Sequence, residues 1–254
     1  MATPAWQARN FLVRATVLRE KVPSLRDYPF SIPAIGNLDF IEFTEPVTFF
    51  IGENGSGKST LLEAIAVASG LNPEGGSRNF NFSTRASHSD LKDYLRLSRS
   101  PRRARDSFFL RAESYFNVAT QIENLDEDPL AGPPIINSYG GRSLHEQSHG
   151  ESFLAVMINR FGPDGLYLLD EPEAALSTQN CLTALRRIHE LVRDGSQLII
   201  ATHSPIILAY PEATIYHCGE HGLEAVGYED AEPVRLTRSF LEARDRFVHE
   251  LMRD

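Results

Sequence analysis

The sequence predicts an α/β fold: a mostly parallel central sheet, an antiparallel N-terminal β portion and a small inserted helical subdomain. Three observations carry this. "LYLLD" (166–170) is a short all-apolar run ending in an acid, and "QLIIAT" (197–202) is a second buried run; both have the look of strands covered on both faces. "VTFFI" (47–51) passes through a glycine-rich turn directly into an Ala/Leu-rich helix. Strands alternate with helices in the blocks 39–70 and 152–203, and the stretch between them is mixed and loop-rich. Residues 1–254 are therefore read as one domain, with the inserted subdomain at 72–150.

Each element has its own warrant. Residues 10–19 and 39–51 are rich in β-formers and read as strands. "KSTLLEAIAVAS" is a helix closed at Gly70. Residues 72–90 are polar and read as a loop; "LKDYLRL" (91–97) is a short helix candidate followed by a basic turn at Pro101. "SFFLRA" (107–112) is a strand, "YFNVATQIENL" (115–125) a helix and 126–147 a loop. "SFLAVMINRF" (152–161) and "CLTALRRIHELV" (181–192) carry apolar residues at helical spacing. Residues 214–227 read as two edge strands and 237–253 as a final helix.

Composition narrows the class. The 254 residues are 42% hydrophobic and 23% charged, ordinary for a globular protein. No apolar run approaches the roughly 18 residues of a membrane span. The N-terminus lacks a signal peptide's apolar core, so a cytoplasmic location is expected. Two cysteines, Cys181 and Cys218, give neither a disulfide framework nor a metal cluster. The net charge of −9 argues against a uniformly nucleic-acid-coating surface, though not against a local basic patch.

The chemistry begins at "GENGSGKST", residues 52–60. It matches G-x-x-x-x-G-K-[ST] in full, follows a strand and opens a helix, as a phosphate-binding P-loop must. Gly52, Glu53, Asn54, Gly55, Ser56 and Gly57 supply backbone N–H groups that turn inward around phosphate oxygens. Lys58 reaches the β- and γ-phosphates, the Ser59 hydroxyl ligates Mg²⁺, and Thr60 adds an α-phosphate contact. The implied cofactors are ATP and Mg²⁺. In "LYLLDEPE", Asp170 ends a buried strand and can hold Mg²⁺ or its water. Glu171, directly after it, can polarise the attacking water. Glu173 reads as a surface acid. In "ATHSP", His203 stands at a strand's C-terminal end, where open α/β sheets bind ligands.

These elements resemble the ATP-binding-cassette (ABC) ATPases over roughly 39–227, and the resemblance extends to "QSHGES". That family places an L-S-G-G-Q/E signature before a helix, roughly 20 residues ahead of the Walker B acid. Ser148, Gly150 and Glu151 match three of its positions, and Glu151 lies 19 positions before Asp170. Gln147 and His149 depart from the pattern. A helix N-cap at Ser148 with a capping box to Glu151 is physically compatible with these residues. "AALS" (174–177) looks like the family's interface loop. Glu113 stands where transporters carry a metal-contacting Gln; a plain surface acid is the alternative. The chain resembles the small soluble bacterial branch, related to RecF-like, chromosome-maintenance and repair ATPases; only 90 positions separate Lys58 from Ser148, too few for a coiled-coil arm.

The resemblance implies a head-to-tail homodimer in the ATP state, with Ser148 and Gly150 of one chain facing the P-loop of the other. It implies ATP hydrolysis driving a switch in DNA maintenance, repair or defence. A membrane transporter's ATPase subunit, or a regulatory nucleotide-binding subunit of a nuclease or toxin complex, is the alternative, and an unidentified protein partner fits either. In "RSPRRAR", Arg99, Arg102, Arg103 and Arg105, with Arg96 and Arg111 nearby, are candidates to grip nucleic-acid phosphates; a solvated basic loop is the plainer reading. Tyr28 and Phe30 are candidates for the adenine by position alone.

Overall fold

A computed structural model describes residues 9–77, 89–113, 115–126 and 134–253. Ser114, next to Glu113, lies outside them. Apolar strands dictate the architecture. Val47–Ile51 (β3 in chain order), Gly165–Asp170 (β7) and Gln197–Ala201 (β8) are buried at every position, so both faces must be covered. They lie in a seven-stranded sheet of order β10-β9-β3-β8-β7-β6-β4. Here β4 is Gly76–Ser77, β6 Asp106–Arg111, β9 Thr214–Gly219 and β10 Gly222–Val226. The five inner strands run parallel, and the two outer ones pair antiparallel.

Alternation sorts the side chains. Phe50, Phe109, Leu168 and Ile199 face one cluster, which also holds Leu61, Leu62 and Ile65 of Lys58–Ala68. Phe49, Phe108, Leu169 and Ile200 face the other, filled by Ile122, Phe153, Met157, Ile188 and Ile207 from helices on the opposite side. Each fully buried Leu, Ile or Phe contributes about 1.5–3 kcal/mol.

The N-terminal β portion is a separate antiparallel sheet of order β2-β1-β5, made of Leu12–Val17 (β1), Phe40–Glu42 (β2) and Leu95–Arg99 (β5). Gln197 ties it to the main sheet. Its buried amide accepts from the N–H groups of Phe11 and Leu12 and donates to the Leu12 carbonyl, each at 2.9 Å.

Several boundaries differ from the sequence expectation. Residues 39–51 form two strands in different sheets, separated by a turn that ends at Pro46. "LRL" (95–97) is strand rather than helix: only Asp90–Tyr94 makes a 3-10 turn, and Leu95 points in while Arg96 points out, a period of two. The 72–90 stretch contributes β4. Of the 214–227 pair only β10 is an edge, because β9 pairs with β3 as well. The C-terminal helix is two helices, Glu232–Glu242 and Arg244–Leu251, broken at Ala243, which leaves helical geometry at φ −131°. No helix of the described residues is long and apolar enough to cross a membrane. Within 72–150, β5 and β6 belong to the two sheets, while Tyr115–Asp126 and the 3-10 turns Ile135–Tyr139 and Leu144–Glu146 form its helical part.

Candidate nucleotide site

Parallel strands end on the same edge, so β3, β6, β7 and β8 deliver their following residues to one rim. That places Gly52–Thr60, Arg111–Glu113, Asp170–Glu171 and Thr202–His203 side by side.

The P-loop turns as its glycines allow. Gly52 and Gly57 adopt φ of +142° and +98°, and a Cβ on Gly52 would stand 2.6 Å from the Cys218 carbonyl oxygen. Gly57 leads directly into the helix that starts at Lys58. The buried Lys58 ammonium donates to the Gly52 and Glu53 carbonyls, each at 2.9 Å. Burial holds its pKa below the usual lysine value, with Glu171 the strongest opposing charge. Ser56 Oγ is buried and has no hydrogen-bond partner among the described residues.

Ser59 Oγ donates to Asp170 Oδ1 at 2.8 Å. Burial pushes the Asp170 carboxyl up to about 6, against the pull of Arg111 and Ser59. Glu171 takes the left-handed conformation at φ +48°, costly for a residue with a Cβ and common where a site imposes it. This swings its carboxylate beside His203, with Oε1 3.5 Å from Nε2, longer than a normal hydrogen bond. Among the described residues no group of three His, Cys, Asp or Glu side chains could hold a metal unaided. The Ser59–Asp170 pair instead suits Mg²⁺, which takes one or two protein oxygens and completes its shell with phosphates and water.

The chain is similar to several known proteins. A family model described as an AAA domain matches residues 30–128. The hemin import ATP-binding protein HmuV of Nocardia farcinica is 26% identical over 179 residues, covering 66% of this chain and 62% of that one. Structural maintenance of chromosomes protein 6B of Arabidopsis thaliana is 31% identical over 121 residues, covering 48% of this chain and 9% of that one. Among solved structures, a nucleotide-free ATP-binding cassette from an ABC transporter superposes with a TM-score of 0.54 at 17% identity, over 91% of this chain and 95% of that one. The chain shares the fold of that ATP-binding cassette. It spans less than two thirds of the length of either of these curated relatives.

Ser148 caps a short helix, His149–Ala155. Ser148 and Glu151 form a reciprocal capping box: Ser148 N–H donates to Glu151 Oε2 at 3.1 Å, Ser148 Oγ to the same oxygen at 2.6 Å, and Glu151 N–H to Ser148 Oγ at 3.4 Å. These bonds lower the Glu151 pKa, led by the one from the Ser148 hydroxyl. The capping reading of Ser148 is the one observed. Gly150 sits close under residues 174–177; a Cβ there would be 3.0 Å from the Ala175 carbonyl oxygen. No hydrogen bond among the described residues joins Ser148, Gly150 or Glu151 to residues 52–60. Glu113 is 89% exposed and lines a hollow of about 450 Å³ with Ser59, Arg111, His149, Asp170 and Glu171.

Four sequence expectations need correction. Arg111 cannot grip nucleic acid: it is 16% exposed and bound to Glu63 and Asp170. Arg102 is committed to the fold, donating to Asp164 at 2.7 Å and the Gly195 carbonyl at 3.2 Å, over the Phe11 ring. Phe30 is buried edge-on against Tyr94, which leaves Tyr28, exposed and with its hydroxyl 3.4 Å from Thr60 Oγ1. Glu173 is no free surface acid; its carboxylate accepts from Thr202 Oγ1 at 2.7 Å and from the His203 N–H. The sequence reading missed Arg111 and Glu173 as parts of the site. Their proximity in sequence to Glu113 and Glu171 was the one available signal.

Proposed function

We propose that the chain is an ABC-type ATPase that hydrolyses ATP with Mg²⁺ as a head-to-tail homodimer, and that the ATP-closed dimer is a switch used in DNA maintenance, repair or defence. The observation that carries the reading is a division of the site. Lys58, Ser59, Asp170, Glu171 and His203 gather on one rim, while Ser148 offers a helix N-terminus bonded to none of residues 52–60 of its own chain. A γ-phosphate held on the rim of one chain can meet the Ser148 end of another. Mg²⁺, when bound, would supply charge neutralisation for the phosphates. Ser59 and Asp170 hold it, Lys58 holds the phosphates, Glu171 takes the water's proton, and His203 orients the γ-phosphate beside it. Loss of that phosphate removes the shared contact and shifts the population back to monomer.

Lys58→Ala and Ser148→Arg chains test this directly. Each alone should release little phosphate from ATP. Mixed, they form heterodimers in which one composite site is whole, and release should recover. No recovery on mixing contradicts the shared site.

A transporter's ATPase subunit is the second reading, favoured by the name of the hemin-import relative. Glu113, where transporters carry Gln, weighs toward the first. A cytoplasmic location suits either. Arg99, Arg103 and Arg105 remain for nucleic acid; Arg105 is 77% exposed. DNA affinity that falls steeply with added salt supports that contact.

A further inference from the structure

We infer that Arg111 is a positioning residue for the metal: braced against Glu63 on the helix that follows the P-loop, it fixes the Asp170 carboxylate so that Oδ1 stays available to Mg²⁺. The inference rests on the reading of Asp170 as a metal-holding group.

Arg111 is the last residue of β6 and stands in register with Asp170 on the neighbouring strand β7. Its guanidinium turns inward. Nη1 donates to Glu63 Oε2 at 2.7 Å and to the Pro73 carbonyl at 3.2 Å. Glu63 belongs to Lys58–Ala68, the helix that also carries Ser59, and its side chain is 11% exposed. Nε lies 3.3 Å from Asp170 Oδ2, in an ion pair that stops short of hydrogen-bond geometry. Nη2 is 4.0 Å from Glu113, on the solvent side.

The two oxygens of Asp170 are thereby divided. Oδ1 accepts from the Ser59 hydroxyl, and Oδ2 faces Arg111. A carboxylate with one oxygen so held cannot rotate freely about its Cβ–Cγ bond. The rigid guanidinium fork ties the strand that ends in Asp170 to the helix that carries Ser59, so the Ser59 and Asp170 oxygens stay in register. A lysine could match the charge but not the two-sided span. Partners that orient metal ligands in this way typically change metal affinity by about 10–100-fold when removed.

The test measures binding rather than turnover. ATP affinity of the full chain is titrated calorimetrically against Mg²⁺ in a Glu171→Gln background, which holds hydrolysis down. Arg111→Gln should raise the Mg²⁺ midpoint about tenfold while leaving metal-free ATP affinity unchanged. Arg111→Lys, a milder change that guards against misfolding, should raise it by less. Glu63→Gln, which releases the far end of the fork, should shift it in the same direction. Asp170→Ala is the control for the underlying reading. If Asp170→Ala raises the midpoint and both Arg111 variants leave it unchanged or lower it, the positioning role is overturned. If Asp170→Ala itself changes nothing, the assignment of Asp170 to the metal fails instead.

Discussion

Asp170 is expected to destabilise the folded chain at neutral pH, and replacing it with Asn should show by how much. The carboxyl is buried and its pKa is pushed up to about 6, against roughly 4 in an unfolded chain. A raised carboxyl pKa means that the fold favours the neutral acid. The stability contributed by that proton is complete below about pH 4 and is lost as pH rises through about 6. The gap corresponds to about 3 kcal/mol, at 1.36 kcal/mol per tenfold change in proton affinity. Asn stands in for the neutral acid at every pH. Asp170→Asn should therefore match the parent near pH 4 and melt higher at pH 8, by roughly 5–10 °C for a domain of this size. Both proteins are melted without nucleotide or metal from pH 4 to 8, and only the difference between them is read, so that other titrating groups cancel. Curves that stay parallel across the range would refute the argument. A variant that becomes less stable as pH rises would show that the Arg111 pairing outweighs burial.

Other consequences follow from particular contacts. Gln197→Met strands the Phe11 and Leu12 N–H groups and the Leu12 carbonyl away from water, and should cost about 3 kcal/mol or more in denaturant unfolding; a loss under 1 kcal/mol would mean the two sheets are not joined there. Glu173→Gln weakens charge-assisted bonds to Thr202 and the His203 N–H, so phosphate release should fall about tenfold with ATP binding intact. Arg102→Ala should lower the melting temperature, whereas Arg103→Ala and Arg105→Ala should leave stability alone and weaken only DNA binding. A DNA defect confined to Arg102→Ala would reverse that division.

The chemistry written in contiguous residues was legible from the sequence. "GENGSGKST" fixes a turn by its glycines and a helix start by its position, and "LYLLD" declares a buried strand ending in an acid. What stayed hidden was pairing across distance. Arg111 looks like one of several arginines until β6 is set beside β7, which brings it against Asp170. Glu173 looks exposed until β8 places Thr202 and His203 within its reach. Gln197, at the start of an apolar run, gives no sign that its amide holds a second sheet. The helix break at Ala243 lacks a Pro or Gly marker. At 95–97 the run is too short for period two and period 3.6 to be told apart.

The division of the ATP site between two chains is tested most directly by solution mass. Light scattering on the Glu171→Gln chain, with ATP and Mg²⁺ and then with ADP, reads it in one experiment. A dimer with ATP that reverts to monomer with ADP, and that fails to form when Ser148→Arg is added, is the expected result. A mass indifferent to nucleotide would contradict the account and leave Ser148 as a helix cap alone.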